Sequence, residues 1–516
     1  MTLVLIVGCI VSAVFTFGFF FSPVPEAPLT NVSGRQMMIK KALDGKLLAG
    51  QYCQSCHLLP EPEMLDKATW LAKVFPMMRT YMGMDPVAKR ETLPHDLQAF
   101  YPTFPAMTED EWFAVASYFI DSAPAVLPRP AHEPISPTLA LFTVDTNTVH
   151  VQPPMTTMVM IDVKQHRLII GDGSLNRLLI TNEAGNLEQA IEMHGPPSSV
   201  AFGKDAWYVS DMGKLLPHDS AIGSVMKITW QGSTPTVTKV LDTLRRPSHV
   251  AVADMNADGR EDLIVCEYGN LIGRFGWYEI PAGRKPRYHE LIPRPGAIRS
   301  VIRDINADGK PDIIVQLAQA RESIVAFMNK GKGRFEEQEL LAFPPSYGSS
   351  GFRFVDADGD NFPDLLVTFG DNGDYDLPPY KPYHGVALYS NSRTTTFSRT
   401  WFVPMDGAYG ADLRDFDGDG DNDLFVLAYF ARFDDGPGAT LRIYENQLGK
   451  WSASTTREAM LGRWMTYDVG DLDNDGDEDV VLGNVSLGPG IASEELTNSW
   501  VAAGRTFLVL RNHRSR

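Results

Sequence analysis

Five nine-residue strings of one pattern recur along the second half of the chain: DMNADGRED from Asp254, DINADGKPD from Asp304, DADGDNFPD from Asp356, DFDGDGDND from Asp415 and DLDNDGDED from Asp471. Their starts lie 50, 52, 59 and 56 residues apart, the period of a repeat architecture in which each copy builds one structural unit. Oxygen-bearing side chains at positions one, three, five and nine can converge on one hard cation. They are Asp254, Asn256, Asp258 and Asp262; Asp304, Asn306, Asp308 and Asp312; Asp356, Asp358, Asp360 and Asp364; Asp415, Asp417, Asp419 and Asp423; and Asp471, Asp473, Asp475 and Asp479. Position six is a turn residue, Gly259, Gly309, Gly420 and Gly476 in four strings and Asn361 in the third, and both residue types tolerate left-handed backbone. An EF-hand is excluded, because position twelve is Val265, Val315, Val367, Val426 or Leu482 where that motif needs Glu.

Each string runs into an apolar strand, as at Leu263-Ile264-Val265 or Val480-Val481-Leu482, and follows another, as at His249 to Ala253. With the later Phe327-Met328-Asn329-Lys330-Gly331 and Ile443-Tyr444-Glu445-Asn446 segments, the pattern resembles FG-GAP/VCBS repeat propellers. The resemblance implies an all-β propeller whose acidic loops bind calcium as a structural ion, up to five ions here. Met158 to Gly171 and Val200 to Asp211 show the strand-turn-strand pattern without the acidic loop, which brings the count to seven blades over residues 138–516. The last blade ends early at Phe507 to Asn512, so Leu139 to Val144 is expected to supply its outer strand and close the ring. Five bound divalent ions would add about ten positive charges, bringing the net charge of -18 to about -8.

Upstream, Cys53-Gln54-Ser55-Cys56-His57 is a CxxCH pentad, the spacing at which two thiols add to the haem vinyl groups and the adjacent imidazole becomes an axial ligand. One covalent haem c is therefore expected on Cys53, Cys56 and His57. Met38, Leu43, Leu47 and Leu48 fall at near-helical spacing before it. Thr108 and Glu111 form a capping box, Met107 can staple against Trp112, and Trp112, Val115, Ala116 and Phe119 make one apolar stripe. Residues 37–123 thus resemble a small all-α class I cytochrome c domain. Met77, Met78, Met82, Met84 and Met107 are candidates for the sixth iron ligand. Similarity of Thr69-Trp70 through Val74-Phe75-Pro76-Met77-Met78 to cytochrome domains fused to FG-GAP proteins implies Met78. His95 reads as a solvated loop residue.

Residues 124–137 carry five prolines and read as a stiff spacer. Residues 3–21 are apolar or small, so 1–22 is expected to be a retained transmembrane anchor, or a signal segment if cleaved. The net charge argues against a nucleic-acid partner. Only four cysteines are present, too few for a disulfide framework once two serve the pentad. Loops at Asp211 to Ile222, Asp371 to His384 and Leu487 to Ser499 break the repeat and could rim one face, the second rich in Tyr375, Tyr380, Tyr383 and His384. Arg303, Arg353 and Arg414 could reach the axial channel or make ion pairs between blades.

The expectation is a membrane-anchored, periplasmic c-type cytochrome that passes electrons to a redox partner, its calcium-stabilised propeller binding a partner, carbohydrate or other small polar ligand. The alternative is a haem-containing dehydrogenase, with or without a quinone cofactor, whose propeller holds the substrate.

Overall fold

A computed structural model describes residues 43–84, 98, 101–129, 133–319, 321–375 and 377–513. The apolar N-terminal segment with Cys9, together with Met38 and His95, lies outside the described residues, among which no helix is long and apolar enough to cross a membrane.

Seven antiparallel sheets follow one another along the chain and form seven blades. Blade 3 illustrates the unit: Pro247–Ala253 is the innermost strand, followed outward by Asp262–Glu267, Arg274–Glu279 and Arg287–Ile292. The second strand of this blade is buried along its whole length, as are its equivalents Asp312–Leu317, Asp364–Phe369, Asp423–Ala428 and Asp479–Asn484. These strands are packed by neighbouring blades on both faces, which explains their unbroken apolar runs. Outer strands such as Leu187–Glu192 and Phe335–Ala342 are mostly solvated. Position twelve of every acidic string sits in the buried second strand, so a metal-ligating Glu has no place there.

The ring closes as the sequence predicts, with bounds shifted slightly. Phe142–Asp145 pairs antiparallel with Phe507–Asn512 and becomes the outer strand of blade 7. Leu139 and Phe142 are buried there among Phe416, Trp464, Leu508 and Leu510. The two upstream segments without acidic loops form blades 1 and 2, with inner strands Thr156–Asp162 and Pro197–Phe202.

Antiparallel order fixes the faces. Connections from first to second strand, which carry all five acidic strings, leave on one face; connections from second to third strand leave on the other. The long loops of blades 2, 5 and 7 are all of the latter kind and share one face, together with a fourth, in blade 6, between Ala428 and Leu441. The blade 7 connection contains a helix, Glu494–Ala503, held by Trp500 packing at 5.0 Å on Phe433 and donating from its indole to the Met460 carbonyl.

The N-terminal described region is a small helical unit. Helix α1 (Gly45–Tyr52) is capped by Asp44, α2 (Phe75–Tyr81) follows a π-helical segment, and α3 (Glu109–Ser122) begins with the complete Thr108–Glu111 capping box. Helices α1 and α3 meet at Gly45, where an added Cβ would lie 2.1 Å from the Ala114 carbonyl oxygen. That close approach buries Ala114 and leaves Ala116 only half-buried, a correction to the expected stripe. Met107 staples against Trp112 as predicted.

The proline-rich segment is less free than a spacer. Lys67 donates its backbone N–H to the Pro124 carbonyl, Leu127 is buried, and Ile135–Ser136 pairs in parallel with Ala453 and Ser454 as a fifth strand on blade 6. Proline fixes φ but leaves neighbouring residues able to join a sheet edge, and Ile135 and Ser136 do so.

Candidate functional site

In each acidic string the chain folds back through two left-handed residues. Position six has φ of 83° at Gly259, 82° at Gly309, 64° at Asn361, 97° at Gly420 and 94° at Gly476, and position four is also positive, from Ala257 to Asn474. The first aspartate receives the position-six N–H, as from Gly259 to Asp254 at 2.8 Å and Gly309 to Asp304 at 2.7 Å. The turn brings together Asp356, Asp358 and Asp360, Asp415, Asp417 and Asp419, and Asp471, Asp473 and Asp475, with ligand oxygens of each set within 4.8 Å of one another. In the two remaining loops Asn256 and Asn306 stand at position three, and their side-chain oxygens accept from the same N–H groups, of Asp258 and Asp308, as Asp254 and Asp304 do. Clustered carboxylates at the surface repel unless a cation or hydrogen bonds compensate. Lys310 contacts Asp308, Arg393 contacts Asp360 and Arg511 contacts Asp473, so three of the loops carry a basic neighbour.

The ninth aspartate sits deeper. Asp262, Asp312, Asp364, Asp423 and Asp479 are buried, and each accepts the backbone N–H of position two, from Met255, Ile305, Ala357, Phe416 and Leu472. In four blades the other oxygen accepts from an asparagine at the end of the third strand: Asn329, Asn391, Asn446 or Asn512. Burial pushes Asp262, Asp423 and Asp479 up to about 6. The ninth residue thus ties the loop to its own sheet, while positions one, three and five face outward.

At the end of α1, Cys53 is half-buried and Cys56 exposed, and both are free thiols. Burial, followed by the neighbouring Cys56, raises Cys53 to about 11. His57 Nδ1 lies 2.8 Å from the Leu58 carbonyl, so Nδ1–H donates to it and Nε2 remains the acceptor nitrogen. Met78 and Met82 pack with Met84, Met107, Trp112, Phe75 and Tyr52, whereas Met77 is 41% exposed. Met84 and Met107, with Tyr52 and Glu111, line a cleft of about 410 Å³. Four of the five candidate methionines therefore share one side of the unit, and Met77 is set apart.

The helical unit touches the propeller on the long-loop face, opposite the acidic strings. Tyr383 donates its hydroxyl to the Met64 carbonyl at 2.8 Å and Ser346 donates to the Met64 sulfur. Arg129 lies over the Tyr380 ring. Beneath this contact His384 is fully buried, 3.5 Å from Asp406, and burial lowers it to about 4. Burial raises Glu322 to about 8 and lowers Lys381 to about 8. The arginines assigned to the channel resolve into ties between blades: Arg353 donates to the Tyr467 hydroxyl at 3.0 Å and pairs with Asp412 and Asp468, Arg414 pairs with Asp412 and Glu478, and Arg303 stacks over Phe354.

With the acidic strings and the seven blades in place, the comparison with protein families gives a match to the FG-GAP-like repeat at residues 304–367 and 415–482. The chain is a seven-bladed β-propeller carrying FG-GAP-like repeats. No curated protein matches it. Solved structures similar to it include the Neurospora crassa Pan2 WD40 domain, at 11% identity over 74% of this chain and 99% of that one with a TM-score of 0.44. Saccharomyces cerevisiae Sqt1 is similar at 10% identity over 72% and 100%, TM-score 0.43, and Kuenenia stuttgartiensis hydrazine synthase at 14% over 65% and 94%, TM-score 0.42.

Proposed function

We propose that the protein is a c-type cytochrome that transfers electrons through one covalent haem, fused to a propeller stabilised by calcium. The observation that carries this reading is the placement of Cys53, Cys56 and His57 at the end of α1, with both thiols free and the His57 Nδ1–H given to Leu58 so that Nε2 is left for iron. Metal-bound histidines ordinarily donate their second nitrogen in this way. Cys53 and Cys56 would hold the haem, His57 one axial position and Met78, within the methionine cluster, the other. The haem would supply one-electron chemistry, with a potential raised by a thioether ligand. Tyr52 and Trp112 would wall the site, and the Tyr383–Met64 contact would fix the unit on the propeller.

Calcium would be held by positions one, three and five of the five acidic strings, with position nine at the base of each loop. The partner is a redox protein, and the location we infer is the periplasmic side of a membrane, reached through the N-terminal segment. A second reading, oxidation of a small polar substrate on the propeller, is favoured by the helical unit resting on the long-loop face. Expression in a haem-maturing host, with a pyridine haemochrome assay on denatured protein, tests the central claim. Haem that stays with the chain, and is lost when Cys53 and Cys56 are both replaced by Ala, is expected; a haem-free product in that host would remove the reading.

A further inference from the structure

We infer that a cleft between blades 4 and 5, on the face that carries the acidic strings, binds a neutral sugar. The cleft has a volume of about 400 Å³, and Asn306, Met328, Lys330, Glu336, Gln338 and Thr395 are among the residues that line it. That volume suits a small sugar and lies within the usual range of ligand clefts.

The sheet register decides which side chains meet there. In blade 4 the outer strand Phe335–Ala342 pairs with Ser323–Asn329, with Glu336 opposite Met328 and Gln338 opposite Ala326. Cross-strand partners share one face of a sheet, and so do alternate residues along a strand. Ala326 and Met328 share a core with Phe352 and Phe397 of blade 5, so Glu336 and Gln338 are on the face towards that blade. Lys330, two places beyond Met328, pairs with Glu336 at 2.8 Å. Glu337, also at the cleft, lies opposite Phe327, whose core is with blade 3, so its carboxylate belongs to the other face.

Blade 5 supplies the facing wall from the connection between its third and fourth strands, Gly385–Asn391 and Phe397–Pro404. Thr395 in that connection has φ of 59°. A β-branched residue rarely adopts left-handed backbone, and such strain persists where the surroundings enforce it, often at a ligand site. The Gln338 side-chain amide reaches across from blade 4 and donates to Thr395 Oγ1 at 3.0 Å. Glycine would hold the same turn without strain, so what threonine adds here is a hydroxyl at the cleft.

The lining selects its ligand by charge and by hydrogen bonding. Lys330 and Glu336 cancel, and Asn306, Gln338 and Thr395 are neutral, so these side chains favour neither an anion nor a cation. Beyond their mutual contact, Lys330 keeps donors and Glu336 keeps acceptor sites. Asn306 Oδ1 accepts the Asp308 N–H within its own loop at 3.0 Å, which leaves the Asn306 amide hydrogens to donate. Hydroxyls donate and accept, so a polyhydroxylated molecule can use all of these groups. Met328, 5% exposed, gives an apolar surface for the C–H face of a sugar ring. Because the Lys330–Glu336 and Gln338–Thr395 pairs are already formed, little side-chain freedom is lost on binding.

This site does not rest on the haem reading. Calorimetric titration of the full-length chain with the methyl glycosides of glucose, galactose, mannose and N-acetylglucosamine, at constant calcium, tests it. Saturable binding of at least one glycoside at millimolar concentration is expected. Thr395→Gly should melt no lower than the natural chain, because it relieves the strained backbone, and yet bind the glycoside about three- to tenfold more weakly, the effect of one lost hydrogen bond. Glu336→Gln should weaken binding to a similar degree. Absence of heat with all four glycosides, or unchanged affinity in both variants, would overturn the inference. Haem-free protein that binds a glycoside would keep this site and remove the electron-transfer reading; haem-loaded protein that binds none would do the reverse.

Discussion

The Asp312 carboxylate accepts the backbone N–H of Asn329 at 2.7 Å, and the Asn329 side chain donates to the Met255 carbonyl in the preceding blade's acidic loop. One aspartate thereby links the third strand of its own blade to its loop, and one asparagine links that strand to the preceding blade. Asn512 repeats the arrangement in blade 7, donating to Asp479 and to the Phe416 carbonyl of blade 6. Replacing Asp312 with Asn should set an amide N–H against one of the two backbone donors. A loss of roughly 1–3 kcal/mol is expected for a buried donor left unmet. Denaturant unfolding with unchanged slope is the check, and a stability equal to wild type would show that the ninth aspartate is not a structural tie.

Calcium removal should loosen blades 5 to 7 first, because their loops gather three carboxylates each. Chelation is expected to lower the melting temperature and re-added calcium, but not magnesium at the same concentration, to restore it, since the smaller ion demands stricter geometry. Calorimetry with and without chelator gives the answer, and a coincident pair of melts would refute the structural-ion account.

Two buried groups set a pH window. Glu322 is raised to about 8 by burial, so its contribution to stability is complete below the unfolded value and is lost as pH rises through about 8. His384 is lowered to about 4, again by burial, so its contribution is complete above the unfolded value and is lost as pH falls towards 4. From these two groups stability should be highest in the mildly acidic range, between the ordinary values of 4.5 for Glu322 and 6.5 for His384, where their effects oppose one another, and the decline from there up to about pH 8 belongs to Glu322. Glu322→Gln should flatten the alkaline limb alone, measured as melting temperature against pH; an unchanged limb would place the titration elsewhere.

Deletion of residues 142–145 should expose the edge of Phe507–Asn512 and uncover the cluster around Trp464. Open strand edges invite pairing between molecules. Light scattering during thermal unfolding should show earlier aggregation than in the intact chain, and identical behaviour would mean that the ring is closed by packing alone.

Gly45→Ala should disturb the helical unit and spare the propeller, because the new Cβ would meet main-chain atoms of α3. Limited proteolysis is expected to release the propeller intact while cleaving within residues 43–123. Resistance equal to wild type would show that α1 and α3 can separate at no cost.

The sequence by itself determined the repeat, the blade count, the acidic strings and the pentad. Each of these is a local pattern: a turn needs left-handed residues at fixed offsets, a strand packed on both faces needs an apolar run, and two thiols and an imidazole need CxxCH spacing. It even displayed the asparagines at Asn329, Asn446 and Asn512, although nothing in the local pattern told that they bind the ninth aspartates. Tertiary structure alone decided that the acidic loops and the helical unit occupy opposite faces, that Ile135 and Ser136 join blade 6, and that Arg353 spans to Asp412 and Asp468. Contacts of this kind follow from how the ring closes, and ring closure joins residues at the two ends of the propeller that no window of sequence holds together.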